Sequence, residues 1–212
     1  MKKLKRYLNS ITFLTKGYRM KIIGISGVAT SGKDTLYNLI SRYLSEKNIS
    51  SQRIALADKL KEDLQQFLLE KFKVDIMKPT VEEKALVRPI LVSYGKVKRA
   101  LTKGTYWTSM VDQHIDSLLK KKILPIITDI RYHEYPEDEF YWLKKKDGIL
   151  IHISRVGIDG KIVSPANTEE KENDKRIRDN ADFTYTWKTQ DDIDSLYYEH
   201  IKFLEKIYEK IS

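Results

Sequence analysis

Nine residues carry the clearest chemical signal in the chain: Gly27-Val28-Ala29-Thr30-Ser31-Gly32-Lys33-Asp34-Thr35. A glycine stands at the first and sixth places, a lysine follows the second glycine, and the apolar run Ile22-Ile23-Gly24-Ile25 comes just before. Glycines let successive backbone N–H groups turn toward a common centre, and a helix opening at Lys33 adds its own unpaired amides. Such a cradle suits the phosphates of a nucleotide. Gly27, Ala29, Thr30, Ser31 and Gly32 would supply the wall, and the Lys33 ammonium would reach the β- and γ-phosphates of ATP. The usual pattern closes Gly-Lys-Ser/Thr, with the hydroxyl on magnesium. Here Asp34 takes that place and Thr35 follows, so either could hold Mg2+, directly or through water. The plainer alternative is a turn that only joins strand to helix.

Other residue groups fit the same chemistry. Leu124-Pro125-Ile126-Ile127-Thr128-Asp129-Ile130-Arg131 is an apolar strand that ends in an acid and a base. Asp129 could hold magnesium through its water shell, and Arg131 could offer a guanidinium fork to a transferred phosphate. The alternative is an Asp that caps the next turn and an Arg on the surface. Asp58 and Lys59 follow another strand-like run, where Asp58 reads as a helix N-cap and both face an acceptor position. Arg88 and Arg99 lie eleven apart, close to three helical turns, so both fall on one side and could clamp a monophosphate. Trp107 and Tyr94 could stack a base or fill a core. Arg155 and Arg176 lie in a charged stretch, 155–181, that reads either as a lid over phosphates or as a solvated loop.

The elements that must position these residues alternate strand and helix from Lys21 onward, the signature of an α/β fold with a parallel sheet. Strands are expected at 21–26, 52–57, 123–128, 149–154 and 182–186. The first helix, about 33–47, places Leu36, Leu39, Ile40, Tyr43 and Leu44 on one face. Helices at 58–73, 82–101 and 107–121 exceed what one crossover needs, so 58–121 reads as an inserted helical lobe beside the turn. In open α/β sheets, ligands bind at the carboxyl ends of the strands. A last helix is expected from Asp191 to the end, with Asp191 and Asp192 favouring its N-terminus and a stripe of Ile193, Leu196, Tyr197, Ile201, Leu204, Ile207 and Ile211.

Composition narrows the classes. A chain of 212 residues with 41% hydrophobic content can bury one sizeable core. With no cysteine and four histidines, disulfides, thiol catalysis and cysteine-ligated zinc are excluded, and oxygen-held magnesium is the plausible metal. No apolar stretch approaches a membrane span. The net charge of +9 is local: residues 1–33 hold eight of the 39 basic residues and none of the 30 acidic ones. Bulk charge therefore does not argue for nucleic-acid binding by the body of the chain. Residues 1–20 read as an upstream extension, a basic arm or a targeting segment, and a dispensable extension is preferred. No exposed apolar stripe demands a dimer.

The ordered set of motifs resembles the phage-type deoxynucleoside monophosphate kinases. The resemblance runs through Ser26-Gly27, Ser31-Gly32-Lys33-Asp34-Thr35, Ala57-Asp58-Lys59-Leu60-Lys61-Glu62, Arg88-Pro89-Ile90-Leu91, Tyr94-Gly95, Arg99, Trp107, Ile127-Thr128-Asp129-Ile130-Arg131-Tyr132 and Ala181-Asp182-Phe183. It covers about residues 21–205 and departs at Lys96-Val97 and at Ala166-Asn167-Thr168-Glu169. It implies a P-loop NTPase fold, a three-layer α/β/α sandwich with a five-stranded parallel sheet and a substrate-binding insert. The implied reaction moves the γ-phosphoryl group of ATP to a deoxynucleoside 5′-monophosphate, with magnesium, in the cytosol of a bacterium or a phage-infected host. Lys33 and the loop amides would go to ATP, Asp34 or Thr35 to the metal, and Asp58, Arg88, Arg99 and Arg131 to the acceptor. A homodimer is common among such enzymes. Other readings are a P-loop kinase for another small molecule and a nucleotide-binding module that grips nucleic acid through its basic arm.

Overall fold

Strands buried on both faces must be apolar throughout, and the central runs of this chain are. In a computed structural model, which describes residues 21–165, 167–188 and 193–211, these runs form one sheet. The strands are β1 (Ile23–Ser26), β2 (Ser51–Ile54), β3 (Leu124–Ile130), β4 (Ile149–Val156) and β5 (Phe183–Lys188), all parallel, in the order β2-β3-β1-β4-β5. The helices described are α1 (Lys33–Glu46), α2 (Leu56–Phe72), α3 (Val81–Leu101), α4 (Thr105–Lys120), α5 (Glu139–Lys145), α6 (Thr168–Asp179), α7 (Ile193–Glu199) and α8 (Ile201–Ile211). Residues 1–20, Ala166, Asp191 and Asp192 lie outside the described residues, as do the side chains of Ile193 and Leu196.

Alternate residues of the strands feed opposite faces. Ile149, Ile151 and Ile153 pack with Leu36, Leu39, Ile40 and Leu44 of α1, Tyr197 of α7, and Leu204, Ile207 and Ile211 of α8. Leu150 and Ile130 pack the other way, with Val111, Ile115 and Leu118 of α4, Leu143 of α5 and Ile177 of α6. Helices thus cover both faces of the sheet. At Gly24, mid-β1, an added Cβ would lie 2.5 Å from a Leu143 methyl, so the missing side chain is what lets α5 seat. The helical insert has a core of its own, Leu64, Leu68, Val74, Ile76 and Val87, joined to the second face through Leu60 and Tyr94.

Several expectations need correction. The stretch 155–181 is not one long loop. Residues 155 and 156 finish β4, and 168–179 form α6, started by the Asn167 side chain accepting the Glu170 N–H at 2.8 Å. The terminal helix is two, divided at His200, whose ring meets Tyr185 edge-on at 4.9 Å. The α3 helix does expose a row of apolar residues, Leu86, Val97 and Leu101, that the sequence reading did not foresee. No helix among the described residues is long and apolar enough to cross a membrane.

Gly24→Ala should cost about 1–3 kcal/mol, because a methyl at that point overpacks against Leu143. Urea unfolding checks this, and pairing the change with Leu143→Ala should recover part of the loss relative to the sum of the two.

Candidate functional site

The β1–α1 turn is built around two positions that tolerate no side chain. Gly27 (φ 138°) would place a Cβ 2.3 Å from the Ile153 carbonyl oxygen, and Gly32 (φ 90°) would place one 2.0 Å from Cζ2 of Trp187. Trp187, on β5, also donates its indole N–H to the Ser31 carbonyl at 2.9 Å. Sequence reasoning missed this residue, since nothing local links it to a turn 156 residues away. Thr30 sits at φ 62°, a left-handed conformation that β-branched residues rarely adopt. Gly32 offers no side chain to cap α1, so the first N–H groups of that helix have no side-chain cap. Lys33 folds back, its ammonium donating to the carbonyls of Gly27 (2.8 Å) and Val28 (2.7 Å). Burial, then the nearby Arg131 guanidinium, lowers its pKa to about 8.

The end of β3 is organised by carboxylates. Asp129 accepts the N–H of Leu56 at 2.9 Å and of Ala57 at 2.8 Å, one on each oxygen. It therefore caps α2, and that helix begins at Leu56 rather than at 58. One expectation changes with it. Asp58 lies inside the first turn instead of at the cap, where Asp129 from β3 takes the helix N–H groups. Burial pushes the Asp129 carboxyl upward, against the pull of the two N–H groups. Glu139, at the start of α5, accepts the N–H groups of Arg131 (2.5 Å) and Tyr132 (3.3 Å), and burial next to Asp129 raises its pKa to about 8. The next three N–H groups are held too: His133 by Asn173, Glu134 and Tyr135 by Asp138.

Arg99 belongs to this scaffold. Its guanidinium is 3% exposed, donates to Asp138 at 3.1 Å and to Glu134 at 2.9 Å, and lies 3.8 Å from the centre of the Tyr132 ring. The expected Arg88–Arg99 clamp does not form. Eleven residues of helix put the two about 16 Å apart along α3, too far to share one phosphate. Instead Arg88 and Arg131 line one cleft together, with Ser26, Gly27 and Val28 of the turn. The cleft has a volume of about 90 Å³, and its far wall is α6. No ion pair reaches Arg88 or Arg131 among the described residues, whereas Lys96 on the same rim pairs with Glu169 of α6 at 2.8 Å. Two further residues went unnoticed in the sequence: His152, buried on β4 beside Ser26, and its partner Asp174, 2.9 Å away on the cleft wall.

The remaining candidates fall outside the cleft. Trp107 is 5% exposed, its ring edge-on to Tyr106 at 4.7 Å, so it is core rather than a platform for a base. Tyr94 donates its hydroxyl to Asp63. Lys59 pairs with Glu62, and Asp58 with Arg53 and Lys61. Arg155 stands at the carboxyl end of β4 beside Trp187, its Nε buried without a hydrogen-bond partner, and Arg176 is exposed on α6 away from the cleft wall. Ala29, Thr30, Ser31, Asp34 and Thr35 stay with Gly27, Gly32 and Lys33 in the turn and the first turn of α1. Among the described residues no group of three or more His, Asp or Glu is placed to hold a metal. No family model matches the chain, and a search of curated proteins gives no match.

Two outcomes follow from the carboxylates. Asp129→Ala should lower stability by about 2–4 kcal/mol in urea unfolding, since two sequestered N–H groups lose their acceptor, and Asp129→Asn by less. Glu139 keeps its proton in the fold to about pH 8, against 4.5 for an ordinary glutamate, so its contribution is full below about 4.5 and lost as pH rises through 8. Melting temperatures from pH 5 to 9 should therefore fall more steeply for the wild type than for Glu139→Gln. Parallel curves would remove Glu139 from the account.

Proposed function

We propose that this chain is an ATP-dependent phosphotransferase of the P-loop kind, acting on a nucleoside or deoxynucleoside 5′-monophosphate. An oxygen of the acceptor phosphate would bond to the γ-phosphorus of ATP while the bond from that phosphorus to the β–γ bridging oxygen breaks, giving ADP and a diphosphate. One observation carries the reading. A turn with two Cβ-intolerant glycines and a residue strained at φ 62° delivers a helix start with no side-chain cap and a lysine beside a cleft lined by two arginines, neither in an ion pair among the described residues. Strain of this kind costs on the order of 1–3 kcal/mol and is kept where a ligand needs the geometry.

The residues divide the work by charge. The ammonium of Lys33 can leave its two carbonyl partners for a polyphosphate, whose charge would raise its lowered pKa again. Arg131 and Arg88 meet the acceptor phosphate and offset charge on the equatorial oxygens. The acceptor is already an anion near neutral pH, so positioning and electrostatics do most of the catalysis. Asp34 and Thr35 are hard oxygen donors in the first turn of α1 and fit a magnesium ion brought by the polyphosphate, which when bound neutralises phosphate charge.

A cleft of about 90 Å³ is well below the roughly 300 Å³ of small ligand pockets. A nucleotide therefore requires α3 and α6 to part, breaking the exposed Lys96–Glu169 pair, a weak restraint in water. The same small volume favours a second reading, a kinase for a smaller phosphorylated alcohol or coenzyme precursor. Acceptor-dependent ADP release, measured with each ribo- and deoxyribonucleoside monophosphate and with small phosphorylated alcohols, separates the two. Lys33→Ala should slow turnover on the order of 10²–10³-fold. Near-normal turnover in that variant would end the proposal.

A further inference from the structure

Asp34 puts a carboxylate in the first turn of α1, on the rim of the turn assigned above to a polyphosphate. Left alone, such a charge favours the helix but repels an anion at the same N-terminus. We propose that Arg53, a residue outside every motif in the sequence, is a positioning residue that holds Asp34 aside and cancels its charge so that the turn can accept polyphosphate. The inference rests on that reading of the turn.

The geometry is specific. Arg53 stands one residue before the end of β2 and donates Nε–H to Asp34 Oδ1 at 2.9 Å. Its Nη1 donates to Asp58 Oδ2 at 3.2 Å, and the other oxygen of Asp58 takes the Lys61 ammonium at 2.7 Å. One guanidinium thus spans carboxylates from the first turns of two helices, α1 and α2. Asp34, Arg53, Asp58 and Lys61 alternate in sign and sum to zero, so the edge of the turn facing β2 is neutral although it carries two acids. The Asp34 side chain is 72% exposed, which leaves it room to swing between Arg53 and a metal–phosphate complex.

The test is ATP binding without divalent cations, in EDTA, followed by calorimetry and by fluorescence of Trp187, which packs on Gly32. Arg53→Ala should weaken ATP binding on the order of tenfold, the effect of one uncancelled charge at short range in a partly hydrated site. The loss should grow from AMP to ADP to ATP, Arg53→Lys should keep most of the affinity, and Arg53→Ala with Asp34→Asn should regain it. Should the alanine variant not fold, Arg53→Gln makes the same comparison with similar bulk. Wild-type affinity in Arg53→Ala, a loss equal for AMP and ATP, or no recovery in the double variant would overturn the inference alone. A wild-type protein that binds neither ATP nor tripolyphosphate would sink the reading of the turn and this inference with it.

Discussion

The two oxygens of Asp129 hold the start of the helical insert against the end of a central strand, and the rest of the site depends on that grip. Each takes one backbone N–H at the head of α2, in a place where water does not compete. Burying a carboxylate is costly, as the upward push on its pKa records. Two N–H bonds and the positive end of the helix dipole offset that cost. The direction of α2 is thereby tied to the sheet, α3 packs on α2 through Leu64, Leu68 and Val87, and Arg88 is carried over the ends of β1 and β3. Arg131 lies two residues beyond the same Asp. One interaction so brings two arginines from distant parts of the chain to one cleft.

What makes those two arginines different from the other cations nearby is the supply of carboxylates. Glu139 and Asp138 pin four of the five consecutive N–H groups from Arg131 to Tyr135, and Asn173 holds the fifth. Asp138 and Glu134 also saturate Arg99, Glu169 engages Lys96, and Asp34 and Asp58 engage Arg53. With those acids engaged, Arg88 and Arg131 carry no ion pair among the described residues, although Glu169, Glu170 and Asp174 line the same cleft. Their charge is available to an anion that enters between them.

The sheet and the turn were legible because their signals are local: apolar runs, and glycines at fixed offsets from a lysine. The three insert helices were found within two residues of their ends for the same reason. Partnership is not local. Arg99 was read as a ligand because spacing reports which side of a helix a residue faces and says nothing of Asp138, 39 residues on, which takes its charge. Asp129 was read as a metal holder or a cap for the next turn, and the N–H groups it holds lie 73 and 72 residues back, beyond the reach of any local pattern. The α6 helix hid behind its composition: its buried residues are only Asn173 and Ile177, so no apolar stripe betrays it. Arg53 went unseen because a lone arginine in a short strand has no pattern at all.

The closed cleft also says which contact must yield if a nucleotide is to enter. On one side α6 is anchored by Ile177 in the central core, by the buried His152–Asp174 pair and by Asn173 on the β3–α5 connection. Moving it would strand a histidine that is 2% exposed. On the other side α2 and α3 carry a core of their own, but Leu60 and Tyr94 join it to the second face and Arg99 ties α3 to Asp138 and Glu134. Among the described residues the ion pairs from α3 to α6 end on Glu169, as one exposed pair with Lys96 and a longer 3.8 Å approach to Arg99. Both walls are thus tied to the segment from Arg131 to Asp138, α6 through Asn173 and α3 through Arg99, and the exposed Lys96–Glu169 pair is the contact between them that yields most cheaply. An acceptor anion held by Arg88 of α3 and by Arg131 beyond β3 would bridge the same two walls and draw them together once that pair has opened.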